Sequence, residues 1–439
     1  MHDPRFGSML AIAIVLLLPL LASLAVQRRF RGDDPIGAFV SNKGGNGFLA
    51  TAAGAICGNI GIGTFVALFL FASQSPVIGF SIAASYALGL ILCALMAPLI
   101  RRRAAVVGAI GLIDLIARSH ETRGNWLTWL PIAVVFILRS AVQLSALGVI
   151  AASLFAGQTA LATIVCAAVL TGYLLVGGYR AAVTTDILQS AIILGAVAVA
   201  ALGLPQLSGA SVDFLQIEPF QPTILIGIWL LLPWSAVLAV DNWQRVTVAS
   251  SDRVAVASYL GAAVVCGACY AMISLAGYWS GGGSVFDTFS GLMPAGAAWS
   301  ATAMFTACIM SSIDTFVMPL TVALGDRRLS ALRWIILCLM VLVTMTALAF
   351  GDVLSNVIAA FNSLTVFLPA ALGALYLKRK TRWGAVASMC SGLVVALCLT
   401  LIDINTAALL GFVVATVVYG ASVVVANRKQ ANFLQLTDS

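Results

Sequence analysis

Charged residues are scarce in this sequence of 439 residues: Asp, Glu, Lys and Arg supply 9% of it, whereas 61% of the residues are hydrophobic. Soluble globular domains carry about 25% charged residues, so a soluble protein is excluded. The apolar residues form runs of about 20 or more, the length that a helix needs to cross a bilayer, and not the alternating segments of a membrane β-barrel. The composition therefore predicts an all-α polytopic membrane protein embedded in the lipid bilayer.

Histidine is almost absent, with His2 and His120 as the only two, and no HExxH motif occurs. Without such clusters at metal-ligand spacing, metallo-hydrolase chemistry is excluded. The nine cysteines lie almost all inside apolar runs, which is typical of small buried hydrophobic residues and not of disulfides or zinc ligands. We therefore predict that the protein is not an enzyme and needs no cofactor.

A basic patch is also lacking, although the formal net charge is +7. The basic residues lie between the apolar runs instead of forming one surface, which excludes nucleic acid as a partner. The apolar runs predict thirteen membrane spans. Their expected bounds are 9–26, 47–74, 77–100, 127–155, 158–176, 182–204, 223–240, 254–278, 297–324, 332–350, 353–377, 383–402 and 405–427.

The loop charges are consistent with this count and predict the orientation. With the N-terminus outside, every Lys and Arg except Arg5 and Arg139 falls in a loop on the inner side or, like Arg333, within two residues of one, and such a bias is typical of cytoplasmic loops. The first apolar run is followed, not preceded, by basic residues, so it predicts an uncleaved helix and not a signal peptide. We expect an integral multi-pass protein of the plasma or inner membrane with a cytoplasmic C-terminus.

The stretch Gly54–Thr64, with the sequence GAICGNIGIGT, lies inside the second span and contains four glycines. Each glycine weakens a helix by about 1 kcal/mol relative to alanine. The stretch therefore predicts an interrupted helix whose freed carbonyls line a binding site. The alternative is that the glycines let a neighbouring helix pack closely.

A second interruption is predicted at Pro233, in the middle of the seventh span, because proline removes a helix hydrogen bond and clashes with the preceding turn. The two interruptions then fall on the first helix of each of two five-helix units, as in transporters built from inverted repeats. This pattern predicts one transporter domain over 1–439 with a 5+5 core, whose repeats are 47–204 and 223–377. The helix at 9–26 and the two helices at 383–427 are peripheral in this arrangement.

Polar side chains cluster in the ninth span, where Ser311, Ser312, Asp314 and Thr315 occupy four of five successive positions. Sodium is a hard cation, and hard cations prefer oxygen ligands. The hydroxyls of this cluster and the carbonyls freed in the second span therefore predict a sodium site. Alternatively, the hydroxyls bond only to the backbone of their own helix, as serine and threonine commonly do.

Two further ionisable residues lie inside spans, where charge is costly and usually marks a pathway or a pair. Arg139 lies in the fourth span, one turn before Gln143. It either binds a carboxylate of the solute through its guanidinium or neutralises Asp314 as a structural pair. Asp186 lies at the inner edge of the sixth span, where a solvated carboxylate is the simplest interpretation.

Four segments resemble signatures of the sodium/solute symporter family, which includes sodium-coupled transporters of proline, pantothenate, sialate and glucose. They are Gly177–Gln189 (GGYRAAVTTDILQ), Cys308–Thr315 (CIMSSIDT), Asp241–Arg253 (DNWQRVTVASSDR) and Leu368–Gly392 (LPAALGALYLKRKTRWGAVASMCSG). They occur in family order and span most of the chain, so together they are specific, although each alone is weak. In the family, the counterpart of Asp241–Arg253 is a loop after the sixth core helix.

The resemblance implies a LeuT-like fold of thirteen helices and sodium-driven uptake by alternating access. It also implies that the main site for the coupling sodium ion is formed by three backbone carbonyls and two hydroxyls. The carbonyls are those of Cys57, Ile60 and Cys308, and the hydroxyls are those of Ser311 and Ser312.

In some family members a second cation site joins the aspartate of the TD motif to residues that follow the serine pair. The corresponding residues here are Asp186, Asp314 and Thr315, so the resemblance gives Asp186 a role beyond a solvated carboxylate. The positions expected to face the solute are Thr64, Phe65, Ser85, Tyr86, Arg139, Gln143, Trp229, Trp234, Phe361, Asn362 and Ser363.

We therefore expect a sodium-coupled secondary active symporter that imports a small organic solute. Arg139 favours a carboxylate-bearing solute, either an amino acid or an organic acid, whereas a sugar would require more amides and carboxylates than these positions offer. The alternatives are a proton-coupled transporter of the same fold and a solute sensor or receptor that uses the same helical bundle.

Overall fold

The computed structural model describes residues 4–29, 35–41, 45–122, 126–207, 209, 213–324, 328–349, 363–377, 381–402 and 406–437, and its regular structure is helical. The helices are α1 (Pro4–Arg29), α2 (Pro35–Val40), α3 (Phe48–Asn59), α4 (Ile62–Gln74), α5 (Pro76–Val107), α6 (Leu112–Ser119), α7 (Trp126–Ala151), α8 (Thr159–Gly203), α9 (Thr223–Leu230), α10 (Leu232–Val237), α11 (Val240–Val248), α12 (Asp252–Trp279), α13 (Val285–Leu292), α14 (Trp299–Ala323), α15 (Leu329–Ala349), α16 (Leu368–Tyr376), α17 (Arg382–Thr400) and α18 (Ala407–Thr437).

Among the described residues, nine helices are long and apolar enough to cross a membrane, and two bent helix pairs bring the number to eleven. One of the nine, α8, has 45 residues, and at about 1.5 Å per residue it is far longer than a bilayer core of about 30 Å. It covers the predicted spans 158–176 and 182–204 and is interrupted between them at Gly178. The predicted span 353–377 begins outside the described residues, so the count of thirteen remains a prediction.

The interruption in α8 requires glycine. Gly178 has a φ of 57° and a ψ of −151°, a conformation that side-chain-bearing residues rarely adopt. A Cβ atom at this position would also lie 2.6 Å from the ring of Phe39 in α2. The positive φ and the close approach of α2 together explain the glycine in the middle of a long apolar segment.

The predicted interruption of the second span is present. α3 ends at Asn59, α4 begins at Ile62, and the two helices are bent by 52°. Ile60 and Gly61 leave the helical conformation, with ψ angles of 70° and 169°. Both residues are buried. The backbone groups that lose their helical hydrogen bonds at this break are therefore covered by protein, as they must be at membrane depth.

The second interruption is also present. α9 ends at Leu230 and α10 begins at Leu232, directly before Pro233, as predicted. A further bend of 46° at Leu238 and Ala239, which was not predicted, separates α9–α10 from α11. Pro233 lies at the start of α10, where its missing N–H has no intrahelical acceptor in any case.

The chain beyond this bend was expected to be a loop, and that prediction was wrong. Residues 240–248 form the buried helix α11, because side chains of its first turn bond to carbonyls that the bend frees. Asn242 Nδ2 donates to Ala236 O at 2.7 Å, and Trp243 Nε1 donates to Val237 O at 2.6 Å. The membrane helix can therefore bend and continue.

Helix α14 lies at the centre of the bundle. In its apolar membrane-spanning stretch, 100% of the residues are buried inside the protein. The corresponding shares for α1, α17 and α18 are 33%, 39% and 17%. The polar cluster of the ninth span therefore lies in the interior, next to the first break.

Candidate cation and solute site

The serine pair of α14 lies against the first helix break. Ser311 Oγ is 3.4 Å from the carbonyl oxygen of Cys57 in the last turn of α3, and 3.1 Å from Cys308 O of its own helix. Ser312 Oγ donates to Cys308 O at 2.8 Å. All four residues are fully buried. Both hydroxyls therefore bond within α14, and that of Ser311 also contacts α3, while the sodium site itself stays a prediction.

Ile60 and Gly61 complete this side of the break. Ile60 is the first residue after α3 and is fully buried. A Cβ atom on Gly61 would lie 2.5 Å from Ser312 Oγ, so only a residue without a side chain lets the serine reach this point. The structure thus brings the residues predicted to bind sodium to one place: Cys57, Ile60, Cys308, Ser311 and Ser312.

Polar side chains from α4, α7 and α12 also bond to the backbone at the break. Gln143 Oε1 accepts from Ile62 N at 3.1 Å, which satisfies one of the free N–H groups at the start of α4. The carbonyl oxygen of Asn59 accepts from Tyr270 OH at 2.8 Å and from Thr64 Oγ1 at 3.4 Å. The break is therefore a polar centre with defined partners in an apolar bundle.

The second predicted cation site forms around α8 and α14. Asp314 Oδ2 accepts a hydrogen bond from the Tyr173 hydroxyl, and Thr315 Oγ1 donates to Ser312 O at 2.9 Å. Asp186 Oδ2 accepts from Arg245 Nη2 at 3.1 Å. The second oxygens of Asp186 and Asp314 are buried and have no hydrogen-bond partner within the described part of the chain.

Arg245 and Asp241 were not singled out from the sequence, because their motif was expected to form a loop. Arg245 also forms an ion pair with Asp241, one turn earlier on α11, so a single guanidinium contacts two carboxylates. No pattern in the sequence places α11 beside Asp186. The only signal was the i, i+4 spacing of an acid and a base on one helix face.

These groups line one small pocket. Its polar lining includes the carboxyl groups of Asp186, Asp241 and Asp314 and the guanidinium of Arg245. Three carboxyl groups against one guanidinium leave a deficit of positive charge when all are ionised. Because buried charge is stable only when it is compensated, the pocket is chemically suited to a bound cation or proton.

The predicted solute-facing residues have diverse surroundings. Ser85 Oγ donates to Ile228 O at 2.5 Å, and the Tyr86 ring packs edge-on against Tyr270 with centroids 5.7 Å apart. Phe65 belongs to a buried aromatic cluster with Phe289 and Phe305. Of the other predicted positions, Trp229 is 49% exposed and Trp234 is half-buried. Ser363 is buried and directly precedes a short 3-10 helix. Phe361 and Asn362 lie outside the described residues.

Arg139 is buried on α7, one turn from Gln143. Its guanidinium carbon lies 4.9 Å from the ring centroid of Phe316 and 5.6 Å from that of Phe136. Such stacking on aromatic faces fixes the plane of a guanidinium. The hydrogen-bond partner found for Asp314 is Tyr173 and not Arg139.

No protein-family model matches the sequence, and no curated protein matches it. Solved structures do match the fold. A Na+-coupled sialic acid symporter, solved substrate-bound and outward-open, superimposes with a TM-score of 0.74 at 13% identity, over 96% of this chain and 98% of that chain.

Two structures of Mhp1, a nucleobase-cation-symport-1 family transporter, are also similar. The closed form with bromovinylhydantoin bound gives a TM-score of 0.59 at 14% identity, covering 89% of this chain and 96% of that chain. The inward-facing form gives a TM-score of 0.54 at 15% identity, covering 89% of this chain and 92% of that chain. The chain thus has the all-helical, LeuT-like transporter fold.

Proposed function

We propose that this protein is a sodium-coupled secondary active symporter of the sodium/solute symporter family. It imports a small, carboxylate-bearing organic solute by alternating access, with the N-terminus outside and the C-terminus in the cytoplasm. The LeuT-like fold, the four sequence signatures and the basic residues of the inner loops support this proposal. The two five-helix repeats in this proposal are 47–204 and 223–377.

The observation that carries the proposal is the approach of Ser311 Oγ to Cys57 O across the first break. A helix break buried in protein frees carbonyl oxygens, and hydroxyls from a second helix add further oxygens at the same point. Such an all-oxygen environment suits a hard monovalent cation. The proposed ligands are the carbonyls of Cys57, Ile60 and Cys308 and the hydroxyls of Ser311 and Ser312.

A second cation binds at Asp186, Asp314 and Thr315 in this proposal. The two buried carboxylate oxygens without partners among the described residues supply its negative charge. Cys57 connects the two sites, because its thiol donates to Asp186 O at 3.2 Å while its carbonyl faces Ser311.

Equilibrium binding of ²²Na⁺ to the purified protein tests the proposal. Unlabelled NaCl should displace the label, whereas KCl and choline chloride should not. The double variant Ser311→Ala with Ser312→Ala should reduce the sodium affinity at least about tenfold, since each lost ligand removes about 1 kcal/mol or more. Unchanged sodium binding in this variant contradicts the assigned site.

Thr306→Val is the matched control. Thr306 is fully buried on the same helix, and its hydroxyl bonds to Thr302 O of that helix at 2.8 Å. Valine removes this hydroxyl while keeping the shape of the side chain. Sodium affinity should be unchanged, so a loss of affinity in both variants would indicate general damage to α14 instead of a lost ligand.

A proton-coupled transporter of the same fold is a second candidate, favoured by the buried Asp314–Tyr173 hydrogen bond. A carboxyl group that is alternately protonated and ionised could replace a bound sodium ion at this position. Replacement of sodium by choline at fixed pH distinguishes the two, because it abolishes sodium-coupled uptake and leaves proton-coupled uptake intact.

A further inference from the structure

The two helix breaks are joined by a reciprocal pair of asparagine side chains. Asn59, the last residue of α3, donates from Nδ2 to Asn242 Oδ1 at 3.1 Å. Asn242, in the first turn of α11, donates from Nδ2 back to Asn59 Oδ1 at 3.4 Å. Both residues are at most 2% exposed. Because each amide is donor and acceptor to the other, the pair specifies one separation and orientation of the two helices.

Each asparagine also bonds to the broken end of a helix. Asn59 Nδ2 donates to Ala55 O at 2.7 Å, so the side chain is fixed to the last turn of α3. Asn242 Nδ2 donates to Ala236 O at 2.7 Å, which is a carbonyl freed by the second break. A shift of either break therefore strains the amide pair directly.

Two tyrosines of α12 restrict the pair further. Tyr259 OH lies 3.0 Å from Asn242 Oδ1 and 3.1 Å from Asn242 O. Tyr270 OH donates to Asn59 O at 2.8 Å. Helix α12 thus supports both breaks from one side, and the amide pair is the direct hydrogen-bonded connection between them.

The pair lies next to the proposed sodium ligands. Asn59 directly precedes Ile60 and follows Cys57 by two residues, so its side chain and the proposed carbonyl ligands belong to one helical turn. An ion that holds those carbonyls reduces the freedom of this turn. The side chain of Asn59, which is the hydrogen-bond partner of Asn242, then moves less. Because the two amides are bonded to each other, the first turn of α11 also becomes better ordered.

We propose that Asn59 and Asn242 are positioning residues that transmit cation occupancy at the first break to the second break. The inference rests on the proposed sodium function, since the cation is its input. The consequence is that sodium orders the α10–α11 bend, so a solute that contacts this bend binds better after sodium. By thermodynamic linkage, the solute in turn raises the affinity for sodium.

Hydrogen–deuterium exchange of the purified full-length protein tests this proposal with sodium as the only added ligand. Exchange is compared in NaCl and in choline chloride of equal concentration, for peptides that cover residues 54–64 and residues 232–243. In the unaltered protein, sodium should slow exchange in both segments. The slowing at the second segment should be about fivefold or more, the lower end of typical coupling between sites.

Two variants break the pair in different ways. Asn59→Ser keeps a hydroxyl that can bond to Ala55 O of its own helix, as serine does in helices, but it cannot reach Asn242. Asn242→Ala removes the partner from the other side. In both, sodium should still protect 54–64 and should no longer protect 232–243. The double variant should lose no more protection than either single variant, because one connection is lost in each case.

Ser274→Ala is the control, as Ser274 is a fully buried residue of α12 whose hydroxyl has no hydrogen-bond partner in the described ranges. It should keep sodium protection in both segments. Protection of 232–243 that persists in Asn59→Ser and Asn242→Ala overturns the inference while the sodium function stands. The inference also fails if sodium protects 54–64 alone in the unaltered protein. Absence of protection in both segments overturns the sodium function and the inference together.

Discussion

Arg245 contacts carboxylates on two helices, Asp186 of α8 and Asp241 of α11. All three side chains are at most 5% exposed. In such a place the loss of one partner leaves a charge uncompensated, at a cost of about 3–5 kcal/mol in buried ion pairs. Single residues in this pocket therefore control how α8 and α11 are held together.

Arg139 predicts the charge of the solute. Its guanidinium is oriented by the rings of Phe316 and Phe136, and arginine binds carboxylates in bidentate geometry, which lysine cannot reproduce. In a thermal-shift screen with sodium present, carboxylate-bearing solutes should stabilise the protein more than neutral ones. Arg139→Lys should weaken that stabilisation, with an apparent affinity about tenfold lower.

Arg253→Lys provides a matched control for the arginine substitution, because Arg253 is an exposed residue at the start of α12. It should leave the solute response unchanged. If uncharged solutes alone stabilise the protein, the role of Arg139 in carboxylate binding is wrong.

The surroundings of His120 predict how the stability of the fold changes at acidic pH. It lies after α6, outside the membrane spans, where Nε2 faces Ala370 O at 3.3 Å and Nδ1 faces Thr381 Oγ1 at 3.0 Å. A carbonyl can only accept, so Nε2 carries the proton and Nδ1 accepts from the hydroxyl. Burial lowers the pKa of the imidazole below its ordinary value of 6.5, and the bond to Ala370 O offsets this in part.

Because the pKa of His120 is lower in the folded protein than in the unfolded chain, the unfolded chain binds the proton first as the pH falls. The folding free energy contributed here is therefore present above about pH 6.5 and is lost progressively as the pH drops towards the folded pKa. His120→Gln should flatten the fall in melting temperature below about pH 6.5. An equally steep fall in this variant would exclude His120 as the responsible group.

Among single residues, the sequence alone is enough to select candidate site residues when their side-chain type is unusual in a membrane. Ser311, Asp314 and Arg139 are recognisable because polar and charged groups are rare in apolar spans. Asp241 and Tyr173 are not, since an acid beside a polar motif resembles a loop and a tyrosine in an apolar helix resembles a core residue. Their roles depend on contacts over long sequence distances, which no local pattern encodes.

At the scale of helices, the glycines of α3 serve close packing as well as the break. A Cβ atom on Gly58 would lie 2.4 Å from Asp241 Oδ2 and 2.5 Å from Arg245 Nη1. A Cβ atom on Gly54 would lie 2.5 Å from Arg245 Nε. Both alternatives considered for this stretch therefore apply, at different residues: the break is at Ile60 and Gly61, and the close approach of α11 is at Gly54 and Gly58.

Gly58→Ala should destabilise the protein by about 1–3 kcal/mol, because the added methyl group must displace a buried ion pair. Gly195→Ala is the control, since no atom lies within 4 Å of a Cβ atom built there on α8. It should be neutral or stabilising by up to about 1 kcal/mol, the difference in helix propensity. Thermal unfolding in detergent without sodium measures both, and equal effects of the two substitutions would contradict the packing role of Gly58.

The first break could be predicted because glycines concentrate where helical propensity is lost. The interruption beside Pro233 could be predicted because proline removes a helix hydrogen bond, and α10 begins one residue before it. The further bend of 46° at Leu238 and Ala239 has no sequence signature of its own. It is stabilised by Asn242 and Trp243, whose bonds to Ala236 and Val237 form only once the chain has bent.

At the scale of the whole molecule, hydropathy and charge were sufficient to predict an all-helical membrane bundle, and its LeuT-like fold follows from the structural similarity. Long apolar runs admit few structures in a bilayer because every backbone polar group must be satisfied internally. Which helices pack against each other could not be predicted from hydropathy and charge. The central position of α14 and its contacts with α3 and α8 depend on complementary side chains far apart in sequence, such as Tyr173 and Asp314.

Sodium-coupled symport is tested most directly by solute uptake into proteoliposomes that contain the purified protein. The solute is the one that gives the largest sodium-dependent thermal stabilisation. With sodium higher outside, this solute should accumulate above its external concentration, and it should only equilibrate when sodium is equal on both sides. Accumulation that persists when choline replaces sodium at fixed pH would contradict sodium coupling, and binding without any uptake would instead indicate a sensor.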